Sequence, residues 1–457
     1  VEGALEDFFT YVDGNRDRFL DQLKKLCSQP SVAAQGLGMR ETANIVLGML
    51  QRVGADSRLI EVAGAPPVVY GEIGWGDTTL IIYDHYDVQP PEPLDQWESP
   101  PFSPEVREGS LYCRGVADNK GDLASRLQAI EAYQETQGSL PLKIKFVFEG
   151  EEEIGSPHLA QFVDENKELL VGADGCLWEG GRVETSGRPE LYLGLKGILY
   201  VELRVKGASR DLHSSWAPLV PNPAWRLVWA LNTLKDENDR LLMDGLVDHV
   251  ARPPEEDAEL VERIPFDDEE IKQDLGLSEL LGGVRGTEAV RSLLYSPTCT
   301  ICGIVAGYTG EGSKTVLPSE ARVKLDFRLV PDLEPEMVLQ LLRMHLDRRG
   351  FGDVEIVGFS AEHPAKSSPH AAVARAAMQA AEIVYGQEPV VYPSMAGSGP
   401  MYPLSTALGI PAVSGVGVGH AQSRIHAPNE NIRLEDYFQA VKFAGEFIRI
   451  FSEMSED

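Results

Sequence analysis

The chain is short of positive charge, of cysteine and of long apolar runs, and each shortage removes a class of function. Lysine and arginine number 41 against 71 aspartates and glutamates, for a formal charge of −30 and a pI near 4.7. Such a surface repels phosphate backbones and anionic membranes, so neither nucleic acid nor a membrane is expected as a main partner. It attracts cations instead. The five cysteines, Cys27, Cys113, Cys176, Cys299 and Cys302, are odd in number and scattered over 457 residues. They suggest no disulfide framework and point to a reducing, cytoplasmic setting. Cys299 and Cys302 form a CxxC, but no second ligand pair accompanies it, and it is read as structural. No apolar run reaches transmembrane length, and no signal-peptide pattern opens the chain. GYTGEGSKT, residues 307–315, lacks the glycine that a phosphate loop needs before its lysine; Ser313 stands there, and nucleotide binding is set aside.

What is present is a globular composition over a length that favours two domains. Helix-spaced apolar positions run through 4–28 and 41–53, then short β-rich runs follow at 79–83 and 143–148 with a helix-like stretch at 122–136 between them. That alternation predicts βαβ units and an α/β sheet. From about 198 the texture changes. LYVELRVKG alternates like a half-exposed strand, helix-like 222–235 follows, and 251–280 reads as an acidic, proline-bearing surface excursion. GIVAGYTG and ARVKLDFRLVP are further strand candidates, with a helix at 334–348 and a strand at 354–359. This is the pattern of a small α+β domain. Helix-like 370–385, strand-like 389–392 and helix-like 434–451 then restore the α/β texture. The expected architecture is an α/β domain of 1–197 and 365–457, interrupted by an inserted α+β domain of 198–364.

The chemistry concentrates where apolar runs stop in acid. KIKFVF ends in FEGEEEIGS, with Glu151, Glu152 and Glu153 in succession; TLIIY ends in Asp84-His85-Tyr86-Asp87. Like charges at contact distance repel, and burial disfavours their charged form. Such clusters require solvent, arginine or metal, and a solvated turn is the plain alternative for either string alone. His85 and Asp87 face the same way along a strand, so Asp87 can hold the second ring nitrogen of a ligand histidine. Asp118, in the loop GVADNKGD, can bridge two cations or simply cap the helix that follows. Of the adjacent pair Glu152 and Glu153, one can bind metal while its neighbour acts as a general base on a metal-held water. Glu179, in DGCLWEGG, ends another short apolar stretch. Asp87, Asp118, Glu152, Glu153 and Glu179 would bring five negative charges together, which two divalent cations nearly neutralise. Mixed imidazole and carboxylate donors suit zinc, manganese or cobalt better than calcium.

At these residues the chain resembles the M20 metallopeptidases, and within them the cytosolic nonspecific dipeptidase and carnosinase branch. The likeness rests on HYDVQP (85–90), RGVADNKG (114–121), EGEEEIGS (149–156), GLKGI (194–198), RDLHS (210–214), GSKTVLP (312–318), DFRLVP (326–331) and RIHAPNE (424–430). Any one occurs by chance; eight in this order identify the family. The resemblance implies a zinc-peptidase-like catalytic domain, with a mixed sheet flanked by helices, and an inserted α+β lid and dimerisation domain. It implies hydrolysis of dipeptides or short peptides with a free C-terminal carboxylate, through two divalent ions per subunit, zinc foremost. His85 and Glu179 would hold one ion, Glu153 and His426 the other, with Asp118 bridging, Asp87 orienting His85 and Glu152 as general base. His213 would act across a homodimer interface on the oxyanion. Thr315, Arg328 and Ser398, with His370 as a further contact, would meet the substrate. Glu179 stands where the dipeptidases often carry aspartate, and AGSGP around Ser398 departs from the usual GGS-type string. These departures keep an N-acyl or N-carbamoyl amino acid amidohydrolase, or a glutamate-type carboxypeptidase, as the alternative.

Overall fold

The computed structural model describes residues 5–454, and they divide into two compact units. The first comprises the chain to Gly194, Lys366–Ser394 and the chain from Pro400; the second comprises Leu195–Ala365 and Met395–Gly399. The segment Met395–Gly399, expected with the α/β part, therefore belongs with the inserted unit. Its backbone carbonyls at Met395 and Gly397 accept the Lys196 N–H at 3.3 and 3.0 Å.

The first unit is built on an eight-stranded sheet. In chain order its strands are β1 (Asp56–Ile60), β2 (Val68–Ile73), β3 (Thr79–His85), β4 (Lys143–Glu149), β5 (Gly175–Trp178), β6 (Glu190–Tyr192), β7 (Val390–Tyr392) and β8 (Ala412–Ser414). They lie side by side as β1-β2-β4-β3-β5-β8-β6-β7. The β1–β2 and β2–β4 pairs are antiparallel. At the centre β4, β3, β5 and β8 run parallel. Strands β3 and β4 are buried on both faces after their first residue, which explains why TLIIY and KIKFVF are continuous rather than alternating.

Helix Lys120–Gln137 packs against Leu434–Glu453 and Glu6–Gly14, and most of it is buried. Hence its weak amphipathicity: a helix covered on all sides has no solvent face to mark. The helix-spaced apolar positions of 4–28 belong to two helices, Glu6–Gly14 and Arg16–Cys27, broken at Asn15. Its amide donates to the Tyr11 carbonyl, the local competition that shortens helices at asparagine.

The second unit centres on a four-stranded antiparallel sheet in the order Thr300–Ala306, Glu320–Leu329, Gly197–Lys206, Glu355–Glu362. Gly197–Lys206 alternates strictly between buried and partly buried positions, with only Lys206 exposed at its end. Helices Pro223–Leu231 and Pro335–Arg348 cover its apolar face, with Leu227, Val338, Leu342 and Leu346 in the core. The acidic excursion is more ordered than its charge suggests. It contains helices Glu255–Arg263 and Asp268–Leu275, the latter capped by Asp267, whose carboxylate accepts from the N–H groups of Glu269 and Glu270. Among the described residues no helix is long and apolar enough to cross a membrane.

Candidate metal centre

The parallel strands of the first unit deliver the acidic residues to one edge. His85 ends β3 opposite Glu149, which ends β4; Glu152 and Glu153 follow at once, and Glu179 follows β5 directly. Sites in open α/β sheets form beyond the carboxyl ends of parallel strands, because the loops there leave the sheet together. Asp118 enters this edge from the loop before helix Lys120–Gln137. It does not cap that helix, since Asn119 is the cap position and makes no side-chain capping bond. His426 comes from the loop after β8 and holds a left-handed backbone, φ +62°. A β-carbon there is strained by roughly 1–3 kcal/mol, which the surrounding contacts must offset.

His85 is fully buried, and three carboxylates converge on its Nε2. Asp118 Oδ1 lies at 3.0 Å, Glu179 Oε2 at 3.2 Å and Glu152 Oε2 at 3.8 Å. On the other ring nitrogen, Asp87 Oδ1 sits 3.2 Å from Nδ1. His426 Nε2 meets Asp118 Oδ2 at 3.1 Å and Glu153 Oε2 at 3.1 Å. Asp118 thus offers one oxygen to each histidine. Donor atoms of His85, Glu152 and Glu179 lie within 4.8 Å of one another, and so do those of Asp118, Glu153 and His426.

Protons alone do not satisfy this arrangement. An imidazole Nε2 carries at most one hydrogen, and here it faces up to three carboxylates. Glu179 Oε2 is buried and has no hydrogen-bond partner. Burial, then the neighbouring acids, push the Glu152 and Glu179 carboxyls well above the usual range despite the opposing pull of His85. Burial works against protonating His85, yet Glu179, Asp118 and Asp87 outweigh it and hold its imidazole well above normal. The bonds to Asp118 and Glu153 raise His426 to about 10. For Asp118 burial is the larger single influence and pushes up, but the two histidines together keep it lowered. Cations in place of these shared protons would offset the crowded carboxylate charge, and the imidazole and carboxylate donors fit divalent transition metals.

Buried ionic contacts brace each ligand-bearing segment. Asp87 accepts from the backbone N–H of Glu152 at 3.2 Å and of Glu153 at 3.0 Å. Asp122 accepts from the N–H of Gly180, next to Glu179, at 3.2 Å, from Val418 at 2.8 Å and from the Asn119 amide at 3.1 Å. Arg126 ties β3 to β5 through the carbonyls of Tyr83 and Trp178 at 2.7 and 2.6 Å, and pairs with Asp84. Of these braces the sequence reading reached only Asp87. Their signal was present, as acids and arginines inside otherwise apolar segments, but their partners lie in distant parts of the chain.

The remaining expected site residues divide between the two units. His213, Thr315, Arg328 and Ser398 belong to the second unit, and His370 to the first. His213 is exposed, with Nε2 3.1 Å from Thr315 Oγ1 and Nδ1 2.9 Å from Ser215 Oγ. Arg328 donates to Ser398 Oγ at 2.9 Å, and that hydroxyl donates to the Gly197 carbonyl at 3.0 Å. His370 is exposed at the start of helix Ala372–Tyr385, its backbone N–H on Ser368 Oγ at 3.2 Å. His420 pairs with Asn431 at 3.1 Å and stays outside both donor groups.

A family model described as peptidase family M20/M25/M40 matches residues 81–450. A solved structure described as an M20 family metallo-carboxypeptidase from Sulfolobus solfataricus is 41% identical with a TM-score of 0.90, over 95% of this chain and 99% of that one. The Cys-Gly metallodipeptidase dug1 of Schizosaccharomyces pombe is 27% identical over 99% of each chain. The Beta-Ala-His dipeptidase of Rattus norvegicus is 27% identical over 99% of this chain and 96% of its own.

Proposed function

The chain belongs to peptidase family M20/M25/M40 and is a metallohydrolase, and on that premise we propose that it cleaves the peptide bond of dipeptides and short peptides ending in a free carboxylate, with two divalent ions per subunit. The observation that carries this reading is that Asp118 turns one oxygen to His85 and the other to His426, between two neighbouring groups of potential metal donors. His85 and Glu179 are the candidate holders of one ion and Glu153 and His426 of the other, with Asp118 between them. Zinc is the first choice, manganese or cobalt the next. Bound there, the ions would supply Lewis acidity toward the substrate carbonyl and toward water.

The chain's own residues do the rest. Glu152 takes the proton of the attacking water and returns it to the leaving amine. Asp87 holds the His85 ring through Nδ1 and, with its other oxygen, fixes the backbone that carries the two glutamates. Arg328, steadied by Ser398, grips the substrate carboxylate, with Thr315 and His370 as further contacts. His213 of a partner subunit donates its ring N–H to the oxyanion.

A homodimer is supported by the surface of the second unit. Trp216, Leu219, Trp225, Val228 and Trp229 are all exposed, and Trp225 stacks on Trp229. Thr300–Ala306 is an edge strand showing Ile301, Ile304 and Val305 to solvent. A two-fold axis pairs such an edge with its own copy and covers the apolar side chains. All five cysteines are free, which suits the cytoplasm.

A second reading is removal of the last residue from longer peptides. The relative at 41% identity, described as a metallo-carboxypeptidase, favours it. The deciding experiment is hydrolysis of Ala-Gly, Leu-Gly, carnosine, a pentapeptide and N-acetyl-leucine, before and after chelation and with zinc or manganese restored. Metal-restored cleavage of the free dipeptides supports the dipeptidase; preference for the pentapeptide supports the second reading. Cleavage of the acetylated compound alone would overturn both in favour of an amidohydrolase.

A further inference from the structure

The string RIHAPNE contributes His426 to the metal centre and ends in Glu430. Glu430 is buried, 1% exposed. Its Oε2 accepts from Arg114 Nη1 at 2.7 Å and from the Gly115 N–H at 2.9 Å. Its Oε1 accepts from the N–H groups of Ala117 at 2.9 Å and Asp118 at 3.1 Å. Its own carbonyl accepts from the Cys113 N–H at 3.0 Å. A carboxylate offers about four acceptor positions, and all are taken by one short loop, the loop that presents Asp118. Arg114 is buried as well and also donates to the Pro90 carbonyl at 3.3 Å. Three residues after His426 and directly before Glu430, Asn429 is anchored as well, its side chain accepting from the Glu98 N–H at 2.9 Å and donating to the Gln96 carbonyl at 3.0 Å.

We propose that Glu430 is the positioning residue of the metal centre. It clamps the loop that carries Asp118 onto the loop that carries His426, and so sets the spacing of the two donor groups. The inference rests on the two-ion reading above. Three carboxylates brace the ligand segments, but they act on different parts. Asp87 fixes Glu152 and Glu153, and Asp122 fixes Gly180 beside Glu179. Glu430 alone of the three holds the backbone N–H of Asp118, the residue whose two oxygens face His85 and His426. Its loss should therefore be felt by both ions, whereas loss of Asp122 should be felt mainly by the ion at His85 and Glu179.

A glutamine at 430 keeps the size but turns one acceptor oxygen into a donor, facing two donors already in place. Glu430→Gln and Asp122→Asn are compared with the wild type by calorimetric titration of the chelated proteins with Mn²⁺ or Zn²⁺, with circular dichroism to confirm folding. Outer partners of metal ligands typically control affinity by about 10- to 100-fold. The expected result is a loss of that size for both ions in Glu430→Gln, with kcat lowered and KM nearly unchanged, and a loss confined to one ion in Asp122→Asn. Wild-type affinity for both ions in a folded Glu430→Gln, or a loss at one ion only, would overturn the proposal. A wild type that takes up no divalent ion would instead overturn the metal reading itself. Should Glu430→Gln not fold, amide exchange in the chelated wild type decides. Gly115, Ala117 and Asp118 should exchange as slowly as the centre of β3, and rapid exchange at these three would sink the clamp.

Discussion

Asp118 and His426 stand 308 residues apart in the chain, yet Asp118 Oδ2 lies 3.1 Å from His426 Nε2 while Oδ1 faces His85. A residue that serves two groups cannot be removed from one alone. Asp118→Asn should lose both ions in a titration and drop kcat/KM by about three orders of magnitude, in line with the several kcal/mol that metal polarisation supplies. Retention of one tight ion would show that the groups are independent.

Glu152 lies 3.8 Å from His85 Nε2, the most distant of the three carboxylates there. Acting as a proton carrier, it should tolerate Glu152→Gln with full metal content while the rate falls about 10²- to 10⁴-fold. A fall in metal stoichiometry would make it a ligand instead.

Arg328 is half-buried and held by Ser398. A charge-assisted hydrogen bond contributes about 1.5–3 kcal/mol, so Arg328→Ala should lower kcat/KM for Ala-Gly by about 10- to 100-fold. Its amide, Ala-Gly-NH₂, should be a poor substrate for both proteins. Equal turnover of acid and amide by the wild type would end the assignment.

His213 as a residue lent between subunits has a direct test. His213→Ala and Glu152→Gln should each be nearly inactive, but a reassociated mixture should recover about a quarter of wild-type activity, because half the dimers then carry one intact site. If His213 serves its own subunit, the mixture stays as inactive as its parts.

The acids beneath the site predict how the chelated protein responds to pH. Burial raises Glu149 to about 7 from 4.5, Asp122 to about 7 and Asp84 to about 8 from 3.8, while hydrogen bonds to Asp118 and Glu153 raise His426 to about 10 from 6.5. In each case the folded state holds a proton that the unfolded state releases earlier. Stability from these groups is complete below about pH 4 and is lost as pH rises through the folded values. The melting temperature of the chelated protein should therefore fall between pH 5 and 8.5, and added Mn²⁺ or Zn²⁺ should flatten the slope. A chelated protein that gains stability over that range would contradict the charge balance described here.

Much of this was legible from short strings, for a physical reason. β3, β4 and β5 are buried on both faces, so their apolar runs end abruptly where the chain leaves the sheet, and an acid or histidine at that point stands out. The elements between strands were legible wherever one face met solvent, as in Pro335–Arg348. What escaped notice depended on partners far away in sequence. Nothing near Glu430 announces Arg114, and nothing near Asp122 announces Val418. Helices Glu255–Arg263 and Asp268–Leu275 were hidden by their own charge, since few apolar positions mark a helix that buries little.

The chain order of the donors also fixes when the centre is finished. His85, Asp87, Asp118, Glu152, Glu153 and Glu179 all precede the second unit, and His426 follows it. As the protein leaves the ribosome, the carboxylates and one imidazole are synthesised long before the second imidazole. A nascent or cleaved chain that stops within the second unit has neither His426 nor Glu430, so the donor group of Asp118, Glu153 and His426 cannot be completed before residue 426 is made.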